Sequence, residues 1–296
     1  MHGRRRRGPT GSLIIFAHEN SPSAAALIAT WIKDMKNLKS SFSHCYLIGN
    51  DKGGVAKDLT AEGFKIALQR HNLEHLLIEI ESQKRLGVLY PDTHFIEASA
   101  IGADELYTNP DKVFEPMDRL AGLVRSRPIS VACLGANLTS GFLRWSETNG
   151  ARCFGDGSAL HFVCLLTMNR AALAAGLTNL YDFGVQYPAA RRTALLNEFA
   201  SPFIDGDRNL AKRLREAQGT GEPIETLKLT RMAAPAWGYI QNLGPLADVA
   251  RMPAQRLIDL GLPEGPAIRS MAMFEKWLEH DLVGPLSTLL PLVKEG

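Results

Sequence analysis

The chain has 296 residues, is 45% hydrophobic and 22% charged, and carries a formal net charge of +2. Such a composition describes a soluble globular protein of one large or two modest domains. It gives no general case for nucleic-acid binding, and no apolar run reaches the ~18 residues that span a bilayer.

Residues 1–34 differ from the rest. Arg4 to Arg7 form a basic cluster, followed by apolar runs at 13–16 and 24–32. His18-Glu19-Asn20 and Pro22 interrupt these runs, against a secretory signal. Met35 stands shortly before the first strand, so residues 1–34 are expected to be an extension outside the core fold. The rival reading is a basic arm for nucleic acid or an anionic surface.

From Ser43 onward strand-like and helix-like runs alternate. The pattern predicts strands over 42–49, 75–80, 91–98, 129–134, 160–167 and 192–197. It predicts helices over 59–71, 113–125, 139–148 and 170–182, with a polar connection over 104–111. Alternation of this kind favours a mainly parallel sheet covered on both faces by helices. Beyond Phe203 the chain reads as helical: 210–218, 249–260 and 267–290, with an edge strand over 224–229. Cys45, Cys133, Cys153 and Cys164 show neither a CxxC pair nor metal spacing, and three of them lie in apolar runs. They read as reduced core residues of a cytoplasmic protein. Trp31, Trp145, Trp237 and Trp277 read as core, Arg191-Arg192 as a solvated pair, and the histidines show no metal-ligand pairing.

The chemistry concentrates after the first strand, in Asn50-Asp51-Lys52-Gly53-Gly54-Val55-Ala56-Lys57-Asp58-Leu59. Strand, glycine-rich turn and helix start form the context of a phosphate-binding loop, where backbone N–H groups and a helix N-terminus meet an anion. Lys57 lies where a lysine reaches the β/γ-phosphates. Two further segments end strands: Glu79-Ile80-Glu81-Ser82-Gln83 and Cys133-Leu134-Gly135-Ala136-Asn137. Glu79 stands within an apolar strand, and a buried carboxylate needs a cation or strong donors. Asn137 reads as a helix N-cap. Asn197 ends the last core strand.

The two-lysine loop resembles the deviant Walker A motif of the ParA/MinD ATPases, K-G-G-V-G-K-[ST]-[TS]. The Glu79–Gln83 segment is similar to that family's D-x-D-x-Q, and Cys133–Asn137 resembles its switch II segment. The likeness covers about residues 42–205. It implies a three-layer α/β P-loop NTPase fold with a helical C-terminal portion over 206–296, all within one domain from 35 to 296. It implies ATP and Mg²⁺ as cofactors. Lys52, Gly53, Gly54, Val55, Ala56, Lys57, Asp58 and Leu59 would form the nucleotide site, and Asn197 would meet the adenine or serve as a turn residue. Lys52, Glu79 and Glu81 would be the catalytic groups, with Asp58 and Glu79 on the metal. The implied partners are a second copy in a nucleotide-dependent homodimer and a protein of a plasmid partition, mobilisation or conjugal transfer system.

Three positions depart from the family pattern. Ala56 replaces the last loop glycine, Asp58 the metal-binding hydroxyl, and Cys133 the switch aspartate. A thiol is a poor Mg²⁺ partner. The alternative expectation is therefore a degenerate family member that serves as an interaction module without hydrolysis. A third is an unrelated α/β enzyme with a chance glycine loop.

Overall fold

The computed structural model describes residues 44–98, 108, 110–155, 157–203, 208–219 and 221–292. The expected extension over 1–34, and most of the 104–111 connection, lie outside them. All described residues fall in one compact unit.

Seven strands form one sheet among the described residues: β1 (His44–Gly49), β2 (His75–Glu81), β3 (His94–Glu97), β4 (Ile129–Leu134), β5 (Leu160–Leu166), β6 (Arg191–Asn197) and β7 (Ile224–Leu229). Their order is β3-β2-β4-β1-β5-β6-β7, and every pairing is parallel. The central strands are buried along almost their whole length. This is the reason they read as unbroken apolar runs rather than alternating ones, since a parallel sheet is covered on both faces. Residues 224–229 form the edge strand that the sequence leads one to expect.

Side-chain alternation sorts the core into two layers. Tyr46, Ile48, Val131, Cys133, Val163, Leu165 and Leu195 face one side. There they meet α1 (Lys57–Arg70) and the C-terminal helices α10 (Glu264–Trp277) and α11 (Gly284–Ser287). Cys45, Leu47, Ala132, Leu134, Phe162 and Cys164 face the other. They meet α3 (Pro110–Val124), α4 (Leu138–Cys153), α5 (Arg170–Gln186) and α6 (Arg208–Gln218). The result is the three-layer α/β architecture with a helical C-terminal portion.

Helix α1 is buried over most of its turns, from Thr60 to Leu68. Gly63 explains how the C-terminal segment gets so close. A Cβ there would stand 2.7 Å from a Leu286 methyl and 2.9 Å from Leu282. Burying Phe64 alone contributes about 2 kcal/mol.

The C-terminal helices are shorter than their patterns suggest. The run over 249–260 divides into α8 (Leu246–Val249) and α9 (Gln255–Asp259), with Pro253 between them. The residue before a proline is pushed out of the helical region. The run over 267–290 becomes α10, a π-helical stretch (Leu278–Val283) and α11. Pro285 lacks the N–H that would close the turn onto Asp281, so the register widens there. No helix among the described residues is long and apolar enough to cross a membrane.

Arg192 departs from the solvated pair that the sequence suggests. It is not a solvated residue but is 1% exposed. Its guanidinium donates to the carbonyls of Leu180, Ala217, Gln218 and Glu222. Those acceptors lie within α5, at the end of α6 and before β7. Arg191 stays at the surface, paired with Glu225.

Candidate functional site

The sheet order fixes where a site can form. β1 and β4 are neighbours, yet β1 leads into α1 on one face and β4 into α4 on the other. Connections that leave adjacent strands in opposite directions open a crevice at the strands' carboxyl ends. The loop 50–56 and the turn 135–137 meet at that crevice. The Asn137 N–H donates to the Asp51 carbonyl (2.9 Å). Asp51 also caps α4, its carboxylate accepting from the Ser140 N–H (3.1 Å) and from the Ser140 hydroxyl. The cap comes from the glycine loop, whereas Asn137 takes a left-handed turn at φ 60°.

Buried side chains hold the loop in shape. Asn50 is fully buried, donates to the Leu165 and Ala172 carbonyls (2.7 and 3.0 Å), and accepts from the Lys52 N–H. Asn197 donates to the Val55 carbonyl (2.9 Å) and accepts from the Phe199 N–H. Gly54 (φ 71°) and Ala56 (φ 68°, ψ 35°) are left-handed. Ala56 thus keeps the backbone conformation for which glycine is the default. Among the described residues no acceptor meets the backbone N–H groups from Gly53 to Lys57.

Lys57 opens α1 and is 7% exposed. Its ammonium donates to the Asn50 carbonyl (2.7 Å) and the Lys52 carbonyl (3.1 Å), so it lies beneath the loop it terminates. Burial pulls its pKa down, and nearby Cys133, Glu81, Asp58 and Asp51 act the other way. Lys52 is exposed and is not among the residues that line the cavity beside the loop.

The loop forms one wall of a cavity of about 560 Å³, a size suited to a small-molecule ligand. Residues Gly53 to Leu59 line it, together with Glu81, Ala136 and Asn197. Phe199 and Gln241 line it as well, with Trp237 from α7 (Trp237–Ile240). Phe199 and Trp237 lie 5.9 Å apart, and Trp237 also packs on Trp277 at 5.5 Å. Trp237 is therefore a wall of the cavity as well as a core contact. Trp145 and Trp277 are buried as expected, and Trp31 lies outside the described residues.

The acidic residues take individual positions. Glu79 is 1% exposed, and its carboxylate accepts from the N–H groups of Arg85 (2.7 Å), Leu86 (3.0 Å) and Gly87 (3.0 Å). It holds the start of α2 (Leu86–Leu89). The strong donors that a carboxylate needs here are backbone amides. Glu81 reaches the cavity wall and lies against Gly135, where a Cβ would stand 2.7 Å from its carboxylate. Asp58 accepts from the Cys133 thiol (3.5 Å) and lies 3.6 Å from the Arg85 guanidinium. Burial, then the Asp58 charge, pushes the Cys133 thiol well up, so it stays protonated.

These contacts bear on Mg²⁺. Both Glu79 oxygens are taken by amides, and Asp58 accepts from a thiol and stands 3.6 Å from a guanidinium. Among the described residues no three His, Cys, Asp or Glu side chains cluster as a metal set. The residues present do not fit a protein-held Mg²⁺. They do fit a phosphate, given the unpaired loop amides and the lysine beneath them.

Sequence reasoning missed Asn50, Arg85, Phe199 and Gln241. For Asn50 there was a signal, a polar residue closing an apolar strand before Gly-Gly. For the others there was none, because they come from separate loops. No protein-family model matches the chain, and no curated protein sequence matches it.

Proposed function

We propose that this chain is a nucleotide-binding protein of the ParA/MinD type, in which bound ATP sets the association state of a switch. The observation that carries this reading is the loop 53–57, with unpaired amides above and Lys57 held beneath by loop carbonyls. An anion at such a loop gains from several oriented N–H groups and from the helix N-terminus. The β- and γ-phosphates would lie on the loop, and the Phe199–Trp237 wall would take the base. Lys52, exposed on the loop, would act across a homodimer interface, as the resemblance implies. Asn197 supports the reading as the residue that fixes the Val55 carbonyl. A role in plasmid partition, mobilisation or conjugal transfer is the biological setting that the resemblance suggests.

A second reading is favoured by a specific observation. Asp58, Glu79 and Cys133 are committed to one another or to amides and Arg85. Phosphoryl transfer depends on positioning and neutralising charge at the γ-phosphate. The arrangement therefore suits a switch that binds nucleotide and hydrolyses it slowly or not at all, serving as an interaction module.

Calorimetric titration of ATP into the wild type and Lys57→Ala tests the binding. Saturable binding by the wild type and a loss of about a hundredfold in the variant are expected, since a charge-assisted contact contributes about 1.5–3 kcal/mol. Equal affinities in the two proteins would count against the site.

A further inference from the structure

We infer that Arg85 takes the place of the metal ion, so that the chain binds its nucleoside phosphate without Mg²⁺. The inference rests on the nucleotide reading above and gives that site its charge partner. Asp58 follows Lys57 at the position where the resemblance expects a metal-binding hydroxyl. A carboxylate there would repel a phosphate unless a cation offsets it. The Arg85 guanidinium is that cation, 3.6 Å from the Asp58 carboxylate and on the wall of the same cavity. A guanidinium carries five N–H donors in a planar fork. Asp58 stands 3.6 Å from one of its NH groups, and no hydrogen bond among the described residues engages the guanidinium, so its donors can meet phosphate oxygens in the bidentate geometry that arginine favours.

The position of Arg85 is built rather than incidental. Its own N–H donates to Glu79 at 2.7 Å, and Glu79 is anchored in a buried central strand. The next two amides bond to the same carboxylate. Glu79 thus works as a positioning residue: it fixes the backbone from which the guanidinium reaches the cavity. Cys133 completes the substitution. Where the family pattern has an aspartate, a protonated thiol donates to Asp58 and brings no charge for a divalent cation to meet. The Glu79 oxygens are engaged by amides and the switch position is a thiol, while the Arg85 cation stands beside Asp58 on a wall that Glu81 also lines.

The test is titration of ATP into the full chain with excess EDTA and, separately, with excess MgCl₂. The proteins are the wild type, Arg85→Ala, Arg85→Lys and Lys57→Ala. Wild-type affinity in EDTA is expected within about threefold of that in Mg²⁺, and Arg85→Ala is expected to lose about tenfold in EDTA. Arg85→Lys keeps charge but not the fork and should fall between the two. The Arg85 side chain is 63% exposed, so its variants should fold, and unchanged circular dichroism would verify that. A wild-type affinity raised more than tenfold by Mg²⁺, or Arg85→Ala equal to wild type in EDTA, would overturn the inference while leaving Lys57-dependent binding intact. Absence of ATP binding to the wild type in both buffers would overturn the nucleotide reading itself, and this inference with it.

Discussion

Ala56 concentrates the tension of the site at one residue. Its φ of 68° lies where an L-residue with a Cβ is disfavoured by about 1 kcal/mol or more. Its methyl also borders the cavity. Ala56→Gly removes both penalties but adds freedom to the unfolded chain. We expect stability to change by less than about 1 kcal/mol, while ATP affinity rises. Thermal melts and titrations check this, and an affinity at or below the wild-type value would show that the methyl does not crowd the cradle. At this scale the sequence is legible where chemistry is local. Lys57, Gly54 and Ala56 can be read directly, because a loop of consecutive residues builds its own geometry. Glu79 is half legible: its burial demands strong donors, but nothing local says whether these are a cation or the amides of Arg85, Leu86 and Gly87. Arg85 is illegible, since its meaning depends on Asp58 standing 3.6 Å away.

Among the elements, β6 depends on a buried cation. The Arg192 side chain gathers four carbonyls from the body of α5, the end of α6 and the approach to β7. Gly184 and Gly221 make room for it, since a Cβ at either would stand 2.0 or 2.6 Å from the guanidinium. Cations are favoured at helix C-termini, and stripping a buried acceptor of its donor costs about 1–3 kcal/mol. Arg192→Met should therefore lower stability by about 3 kcal/mol in urea denaturation. A loss under about 1 kcal/mol would mean that water replaces the guanidinium without cost. Periodicity revealed the strands well, for a buried parallel strand is one apolar run. It misjudged the C-terminal helices, because Pro253 and Pro285 interrupt apolar patterns that continue past them. It also misjudged Arg192, because a charged residue at a strand start gives no sign that carbonyls of two helices will converge on it.

Across the whole molecule, the sheet's closed interior has a consequence for pH. His161 on β5 is 2% exposed, bonds Thr193 at 2.8 Å, and is held neutral with its pKa lowered to about 3, chiefly by burial. In the unfolded chain it takes a proton below its ordinary value of about 6.5. Its contribution is therefore present above pH 6.5 and is lost as pH falls toward 3, by up to about 1.4 kcal/mol per pH unit. Glu62, whose pKa burial raises, has the opposite sign: its neutral form favours the folded state, so its contribution is lost as pH rises through its folded pKa. Comparing wild type with His161→Gln isolates the histidine. The variant should lose less stability than the wild type between pH 6.5 and 4.5, and parallel curves would refute the assignment. The three-layer order of the fold was legible from the alternation of runs. The crevice between β1 and β4 was not, because it arises from the order of strands rather than from any one of them.

The proposed site holds phosphate on the amides of the loop 53–57. The most direct measurement follows the backbone amide resonances of Gly53, Gly54 and Ala56 by nuclear magnetic resonance during an ATP titration. Saturable shifts of these amides, absent in Lys57→Ala, are the predicted result. Unmoved loop amides at saturating ATP, or shifts confined to other parts of the chain, would show that the loop does not hold the phosphate.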